Sequence, residues 1–104
     1  MKRGDVWWAM LPKPMGPRPV VLVSRDEAYR IRTSVTVALV TTTIRAIRTE
    51  ILLNPEDGLP KRSVVNLDDL FTIETSRLTH FVTHLSTDKI EQINAAIKFA
   101  LALP

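Results

Sequence analysis

The segment Gly16-Pro17-Arg18-Pro19 places an arginine between two prolines, an arrangement that suits phosphate binding. A residue before proline is pushed out of the helical region into extended conformations, so the backbone at Arg18 loses little freedom when a ligand binds. The guanidinium then offers a permanent charge and paired hydrogen bonds to phosphate oxygens. The same composition also fits a solvent-facing arginine in a rigid loop, so the segment alone leaves both interpretations open.

A second candidate is the run of three threonines, Thr41 to Thr43, which is followed closely by Arg45. If the run continues a β-strand, alternation directs Thr41 and Thr43 to one face and Thr42 to the other. A threonine hydroxyl near an arginine can donate a hydrogen bond to a non-bridging phosphate oxygen. Threonine is also common in strands for structural reasons, so the run by itself is weak evidence for a site.

Two pairs of titratable residues, His80 with His84 and Asp68 with Asp69, would carry chemistry only if their side chains met. On a helix the histidine spacing would suit a metal ion, but the segment reads as a strand, where residues four apart are separated by ~13 Å. A metal site is therefore disfavoured, and an imidazole acid–base pair is a weaker alternative. Adjacent strand residues point to opposite faces, so the two aspartates predict a charged strand end rather than a catalytic dyad.

Several short strands and one helix must position these residues. The strand candidates are Asp5 to Leu11, Val20 to Ser24, Val35 running into Thr41–Thr43, Glu50 to Leu53, Ser63 to Leu67, Phe71 to Ile73 and Phe81 to Leu85. The segments Pro12 to Pro19 and Asn54 to Pro60 read as loops. The only strong helix begins after Ser86 or Asp88 and places Ile90, Ile93, Ile97, Ala100 and Leu101 on one face. This pattern predicts a mainly β fold with a C-terminal helix covering a small barrel.

Composition limits the remaining choices. A chain of 104 residues with 45% hydrophobic residues allows one domain with a modest core. There is no cysteine, which excludes disulfides, thiol catalysis and thiolate metal sites. The net charge is only +3, but the basic residues crowd the first two-thirds of the chain, as in proteins that bind polyanions. No signal-peptide pattern opens the chain and no apolar run reaches the ~18 residues of a membrane span, so we expect a cytoplasmic protein.

Taken together and in order, these segments resemble the MazF/PemK family of toxin ribonucleases. The matching segments are RGDVWWA, GPRPVVLVSRD, VALVTTTIR, GLPKRSVVNLDDL, TIETSRLTHFVTHLS and the terminal helix. No single string is decisive, but the ordered series runs nearly the whole length of the chain. The resemblance implies a small SH3-like barrel of the CcdB/PemK toxin type with a C-terminal helix. It also implies a single toxin domain over residues 1–104, which in the family is usually a homodimer.

The resemblance further implies a metal-independent endoribonuclease without a cofactor, the toxin of a type II toxin–antitoxin pair. Such an enzyme cuts single-stranded RNA at a short motif and leaves 2′,3′-cyclic phosphate and 5′-hydroxyl ends, and a cognate antitoxin is its expected protein partner. Carried over by position, the family's catalytic arginine and threonine are Arg18 and Thr41. Arg45, Asn66 and Asp68 are implied to lie near the RNA.

The first loop departs from the family pattern because it is shorter than the Gly-Ser-Glu-type segment that many relatives carry before the arginine. That loop helps to hold RNA, so the cleavage motif does not follow from the resemblance. An alternative function is a non-enzymatic toxin of the same barrel fold that inhibits a protein such as gyrase, although such a binder needs no phosphate-directed pair. A plain RNA-binding barrel is a third interpretation, for which we would expect more aromatic stacking platforms.

Overall fold

A computed structural model describes all residues from Met1 to Pro104. The strands are β1 (Asp5–Leu11), β2 (Gly16–Leu22), β3 (Ser34–Thr41), β4 (Glu50–Leu53), β5 (Ser63–Glu74) and β6 (Leu78–His84), and the helices are α1 (Ala28–Ile31) and α2 (Thr87–Ala100). Short 3-10 turns occupy Pro55–Asp57 and Thr75–Arg77. All pairings are antiparallel and form one curled sheet in the order β4-β5-β3-β2-β1-β6. The predicted mainly β fold with a C-terminal helix is confirmed.

Strand alternation divides the apolar residues between two cores. Of two neighbouring residues in β2, Val21 belongs to one core and Val20 to the other. The larger core lies under α2 and includes Ile93 and Ala96 of that helix. The second core includes Ala28 of α1. Both faces of the sheet therefore contribute residues to a core.

The strand boundaries differ from the predicted ones at several places, and β6 begins at Leu78 rather than at Phe81. β2 begins at Gly16, so Arg18 lies in a strand and not in the loop that the prolines predict. β3 ends at Thr41, so the predicted alternation through Thr43 does not continue. The segments predicted as separate strands at 63–67 and 71–73 form the single strand β5. Asp68 and Asp69, which the prediction placed at a strand end, lie in the middle of β5. The strand continues through them as a bulge, at the register shift opposite Ala38 and Leu39.

Helix α2 begins where the sequence indicates. Ser86 is the N-cap, and its hydroxyl accepts a hydrogen bond from the N–H of Lys89 at 3.2 Å. Leu101 follows the last helical residue and is 54% exposed, so its predicted place on the buried face is wrong. Neither helix has the length and hydropathy of a membrane span.

Helix α1 has one turn and is absent from the prediction. It is held by Tyr29, whose hydroxyl donates to the carbonyl oxygen of Ser24 at 3.0 Å. Burial raises the pKa of Tyr29 to about 12, because the charged phenolate would lose its hydration there. The hydroxyl is therefore neutral and remains a donor at physiological pH.

The loop from Asn54 to Pro60 packs tightly against β6 at Gly58. Gly58 has φ +102°, and a Cβ at this position would lie 2.5 Å from Oγ1 of Thr83. Only glycine combines that backbone conformation with so close an approach. This close approach holds the loop against β6.

We expect Gly58→Ala to destabilise the fold more than Gly16→Ala, which is a matched control. Both glycines have positive φ, but a Cβ at Gly16 would meet nothing within 4 Å. Gly16→Ala should therefore cost only the backbone term of ~1–2 kcal/mol, and Gly58→Ala should cost that plus the clash with Thr83. Urea unfolding of the two variants measures the difference. Equal losses would contradict the close packing of the loop.

Candidate active site

A cleft opens where β2 and β3 separate. The two strands pair only from Val20 to Leu22, while β2 continues to pair with β1 back to Gly16. Pro17 and Pro19 are two residues apart in β2, so their backbones face the same side of the strand. Neither has an N–H to donate to β3. The hydrogen-bond ladder towards β3 therefore stops at these prolines, and the strand ends diverge.

The cleft has a volume of about 400 Å³ and is lined by four segments of the chain. Its walls are Trp8, Pro17, Arg18, Pro19, Val40, Thr41, Thr42, Leu59, Pro60, Lys61 and Ser63. The structure thus brings Arg18 and Thr41, distant in sequence, to the same cleft. It also adds Lys61, so that the walls carry two basic side chains and no carboxylate.

The guanidinium of Arg18 is available to a ligand. It has no hydrogen-bond or ion-pair partner within the protein, in contrast to the side chains of Arg3, Arg77 and Arg45. The residue is half-buried, and its backbone is paired with Ala9 of β1. A partly desolvated cation without a counter-charge attracts an anion more strongly than a fully exposed one. Its surroundings therefore favour an anionic ligand such as a phosphate.

The hydroxyl of Thr41 is oriented by its own chain. Its Oγ1 accepts a hydrogen bond from the N–H of Thr43 at 3.2 Å, which closes a turn directly after β3. A hydroxyl has one proton to donate and lone pairs to accept with. Because the backbone uses a lone pair, the Thr41 proton remains free for an acceptor in the cleft.

Arg45 lies outside the cleft walls, in the connection between β3 and β4. Its Nη1 is 3.8 Å from Oε2 of Glu50, and Oε1 of Glu50 accepts from the N–H groups of Arg45 and Ala46 at 2.9 and 3.0 Å. The Arg45 side chain is 58% exposed, whereas that of Glu50 is 1% exposed. The buried glutamate thus holds the shape of this connection, and the arginine points to solvent.

Asn66 and Asp68 also lie outside the cleft walls, on β5. Asn66 is buried, and its Oδ1 accepts from the N–H of Asp68 at 2.9 Å. Asp68 is exposed, and its Oδ2 accepts from the hydroxyl of Thr49 at 2.7 Å. Asp68 therefore contacts the connection that carries Arg45 through Thr49, and none of Arg45, Asn66 and Asp68 lines the cleft.

The two histidines lie on β6, as the sequence indicates, and do not meet. His84 Nδ1 is 2.7 Å from Oδ1 of Asp5 at one end of the strand, while His80 is opposite Trp8 of β1. No group of three or more acidic, histidine or cysteine side chains is arranged to hold a metal ion.

Sequence reasoning missed Lys61, Trp8 and Ser63 as cleft residues. Lys61 follows a proline and precedes another basic residue, a pattern that is also common at exposed turns. Trp8 reads simply as a strand aromatic. The missing information is the separation of β2 from β3, which depends on strand pairing and not on local sequence.

Comparison with known proteins agrees with this fold. A family model described as the PemK-like, MazF-like toxin of type II toxin–antitoxin systems matches residues 2–101. The probable endoribonuclease MazF5 of Mycobacterium tuberculosis is 39% identical over 95% of this chain and 91% of its own length. Endoribonuclease EndoA of Bacillus subtilis is 31% identical over 99% of this chain and 96% of its own length.

Solved structures agree as well. The Mycobacterium tuberculosis toxin MazF-mt6 superimposes with a TM-score of 0.89 at 31% identity, covering 96% of this chain and 98% of that one. A mycobacterial endoribonuclease solved in complex with its cognate antitoxin gives a TM-score of 0.89 at 29% identity, over 100% of this chain and 97% of that one. The fold, the full-length sequence match and the family model all indicate the same family. The chain belongs to the PemK-like, MazF-like toxins of type II toxin–antitoxin systems.

Proposed function

We propose that this toxin is a sequence-specific endoribonuclease that cuts single-stranded RNA in the cleft between β2 and β3 without a metal ion. The observation that carries the proposal is the convergence of Arg18, Thr41 and Lys61 on one cleft that has no carboxylate. The positive charges of this cleft attract the negatively charged phosphodiester, and no carboxylate is present to repel it. The curated relatives are themselves named as endoribonucleases, which favours this function over inhibition of gyrase.

The chemistry uses the nucleophile that RNA supplies. The 2′-hydroxyl oxygen attacks the adjacent phosphorus and the bond to the 5′-oxygen breaks, which leaves a 2′,3′-cyclic phosphate and a 5′-hydroxyl. The proton lost by the 2′-hydroxyl is balanced by the one gained by the leaving oxygen. Negative charge gathers on the non-bridging oxygens in the transition state, where preorganised donors stabilise it most.

Arg18 and Thr41 have the properties of such donors. Arg18 has an unpartnered guanidinium, and the Thr41 hydroxyl proton is free because its oxygen already accepts from Thr43. We assign charge stabilisation to Arg18, and not proton abstraction, because a guanidinium with a pKa above ~12 is a poor base near neutral pH. Lys61 adds a third donor, which is positively charged, to the walls of the cleft.

The toxin's cellular setting follows from its RNA substrate and its family. It acts in the cytoplasm, where its RNA substrate is found, as a single domain over residues 1–104 that forms a homodimer. Its protein partner is a cognate antitoxin, as in the mycobacterial complex. Arg45 and Asp68 contact RNA beyond the cleft, with the exposed guanidinium of Arg45 as the main attractive group, and buried Asn66 supports this RNA-binding surface by holding the backbone of Asp68.

Cleavage in excess EDTA is the expected result of the experiment that tests this function. Purified protein is incubated with a long RNA, the fragments are mapped, and their ends are identified by their phosphatase and kinase sensitivity. Loss of cleavage in EDTA with recovery in magnesium would contradict the metal-independent reaction. Absence of cleavage together with inhibition of gyrase supercoiling would favour the non-enzymatic alternative.

A further inference from the structure

Glu50, the first residue of β4, carries a buried carboxylate beside a connection that lies in solvent. Residues 42–48 are all exposed, whereas the Glu50 side chain is 1% exposed. Its Oε1 accepts hydrogen bonds from the N–H groups of Arg45 and Ala46 at 2.9 and 3.0 Å. Its Oε2 is buried without a hydrogen-bond partner, and Nη1 of Arg45 lies 3.8 Å from it. One oxygen therefore holds the backbone of the connection, and the other has the Arg45 guanidinium as its counter-charge.

Holding the backbone of the connection does not require a charge. The amide oxygen of a glutamine at this position can accept from both N–H groups, and it avoids the cost of burying an ion. A buried carboxylate is costly unless a counter-charge compensates it, and Arg45 is the ion-pair partner that Glu50 has. What the carboxylate adds to an amide is therefore its attraction for the Arg45 guanidinium.

The connection is already ordered around this carboxylate. Ala46 has φ +56°, in the left-handed region that is strained for a residue other than glycine, and the Glu50 side chain accepts its N–H. The N–H of Glu50 donates to the carbonyl oxygen of Ile47 at 3.0 Å, which closes the turn. Farther along, Cζ of Arg48 lies 4.2 Å from the centroid of the Phe99 ring in α2. The connection is thus held on two sides, and it needs little further ordering when a ligand binds.

The same connection adjoins the proposed RNA site. Thr42 at its start lines the cleft, and Arg45 follows three residues later, at most ~10 Å of extended chain away. The Arg45 side chain is 58% exposed, so the side of its guanidinium that does not face Glu50 is open to solvent. Between Thr42 and Thr49 the chain has two arginines and no acidic residue. An RNA strand that leaves the cleft past Thr42 therefore passes a cation whose direction the protein has fixed.

We propose that Glu50 is a positioning residue for RNA binding, which acts through Arg45 and does not itself touch RNA. Its carboxylate holds one side of the guanidinium, and the free side binds a phosphate of the strand beyond the scissile one. This inference rests on the proposed RNA cleavage and assigns to that site a residue that sets the affinity for substrate. It also has a definite sign, because removal of this negative charge should weaken the binding of a negatively charged ligand.

The first test uses that sign. Glu50→Gln raises the net charge by one, so electrostatic attraction alone predicts a lower KM for RNA. We expect a KM about three- to fivefold higher, because the amide no longer holds the guanidinium, and an unchanged kcat, because no reacting atom is touched. The fold should persist, since the amide oxygen can keep both backbone hydrogen bonds. Glu91→Gln is the matched control, because Glu91 is exposed on α2 and its KM should be unchanged or lower.

A double-mutant cycle shows whether the effect passes through Arg45. Arg45→Met removes the guanidinium but keeps an apolar stem, and it should raise KM about tenfold. Adding Glu50→Gln to Arg45→Met should raise KM no further. Melting temperatures are the folding control and a second measurement of the pair. Arg45→Met alone leaves the buried carboxylate without its counter-charge, so it should melt at a lower temperature than the double variant.

An unchanged or lower KM for Glu50→Gln, at an unchanged melting temperature, would overturn the inference and leave the ribonuclease function intact. An equal rise in KM with and without Arg45 would do the same, because the effect would then not pass through the guanidinium. If the wild-type protein binds single-stranded RNA without cutting it, the proposed function fails, and the same cycle measured as Kd still decides the role of Glu50. A wild-type protein that binds no RNA would overturn both.

Discussion

Replacing Arg18 with alanine is expected to lower the rate of RNA cleavage by ~10²–10³-fold, the typical loss for one donor that stabilises a developing oxyanion. The fold should remain intact, since the guanidinium has no partner within the protein and the backbone pairing with Ala9 does not involve the side chain. The measurement is single-turnover cleavage of a defined oligonucleotide, with the melting temperature as the folding control.

A matched control for this variant is Arg25→Ala, which removes an exposed arginine outside the cleft. It lowers the net charge by the same amount, so it reports any general effect of charge on RNA association. Arg18→Lys keeps the charge but not the planar fork of donors and should fall between the wild type and Arg18→Ala. Retention of more than about a tenth of the wild-type rate by Arg18→Ala would remove Arg18 from the mechanism.

Thr41→Val is expected to lower turnover by roughly 10²-fold, because it removes a hydroxyl donor but keeps the shape and β-branching of the side chain. The variant also loses the acceptor for the N–H of Thr43, which lies in an exposed turn and can bond to water instead. Stability should therefore change little. Cleavage of the oligonucleotide used for Arg18 measures the effect, with circular dichroism as the folding control.

Thr72→Val is the matched control for Thr41, since Thr72 is an exposed strand residue outside the cleft and its loss should leave the rate unchanged. Thr42→Val is a more demanding comparison because Thr42 also lines the cleft, just beyond the end of β3. We expect a smaller effect there than at Thr41. If Thr42→Val is the more damaged enzyme, the phosphate donor is Thr42.

Local sequence predicts most of this fold because short apolar strands leave a clear period. Strands β1 and β4 have the predicted bounds, and the cap of α2 follows from Ser86. Helix α1 escapes prediction because one turn gives no periodicity and has no side-chain cap. The continuity of β5 escapes it because two aspartates interrupt the apolar pattern, and the strand is held together by pairing with β3 on both sides of them, at Asn66 and Leu70.

The candidate site is predicted in part. Family resemblance selects Arg18 and Thr41, and the structure places both at one cleft. Arg45, Asn66 and Asp68 are not among the cleft walls, and their contact with RNA stays a prediction. The place of Lys61 in the cleft was not predictable, since it depends on how the segment after the loop Asn54–Pro60 lies against the sheet.

The prolines of β2 have a consequence for the kinetics of association. Pro17 and Pro19 have no N–H groups with which to pair β3, so the strands separate and the cleft is open in the free protein. RNA can therefore enter without a segment first moving aside. The association rate is then governed by diffusion and by electrostatic attraction to Arg18 and Lys61, so it rises in proportion to RNA concentration and falls as salt is added. A gated site would instead reach a plateau set by its own opening rate.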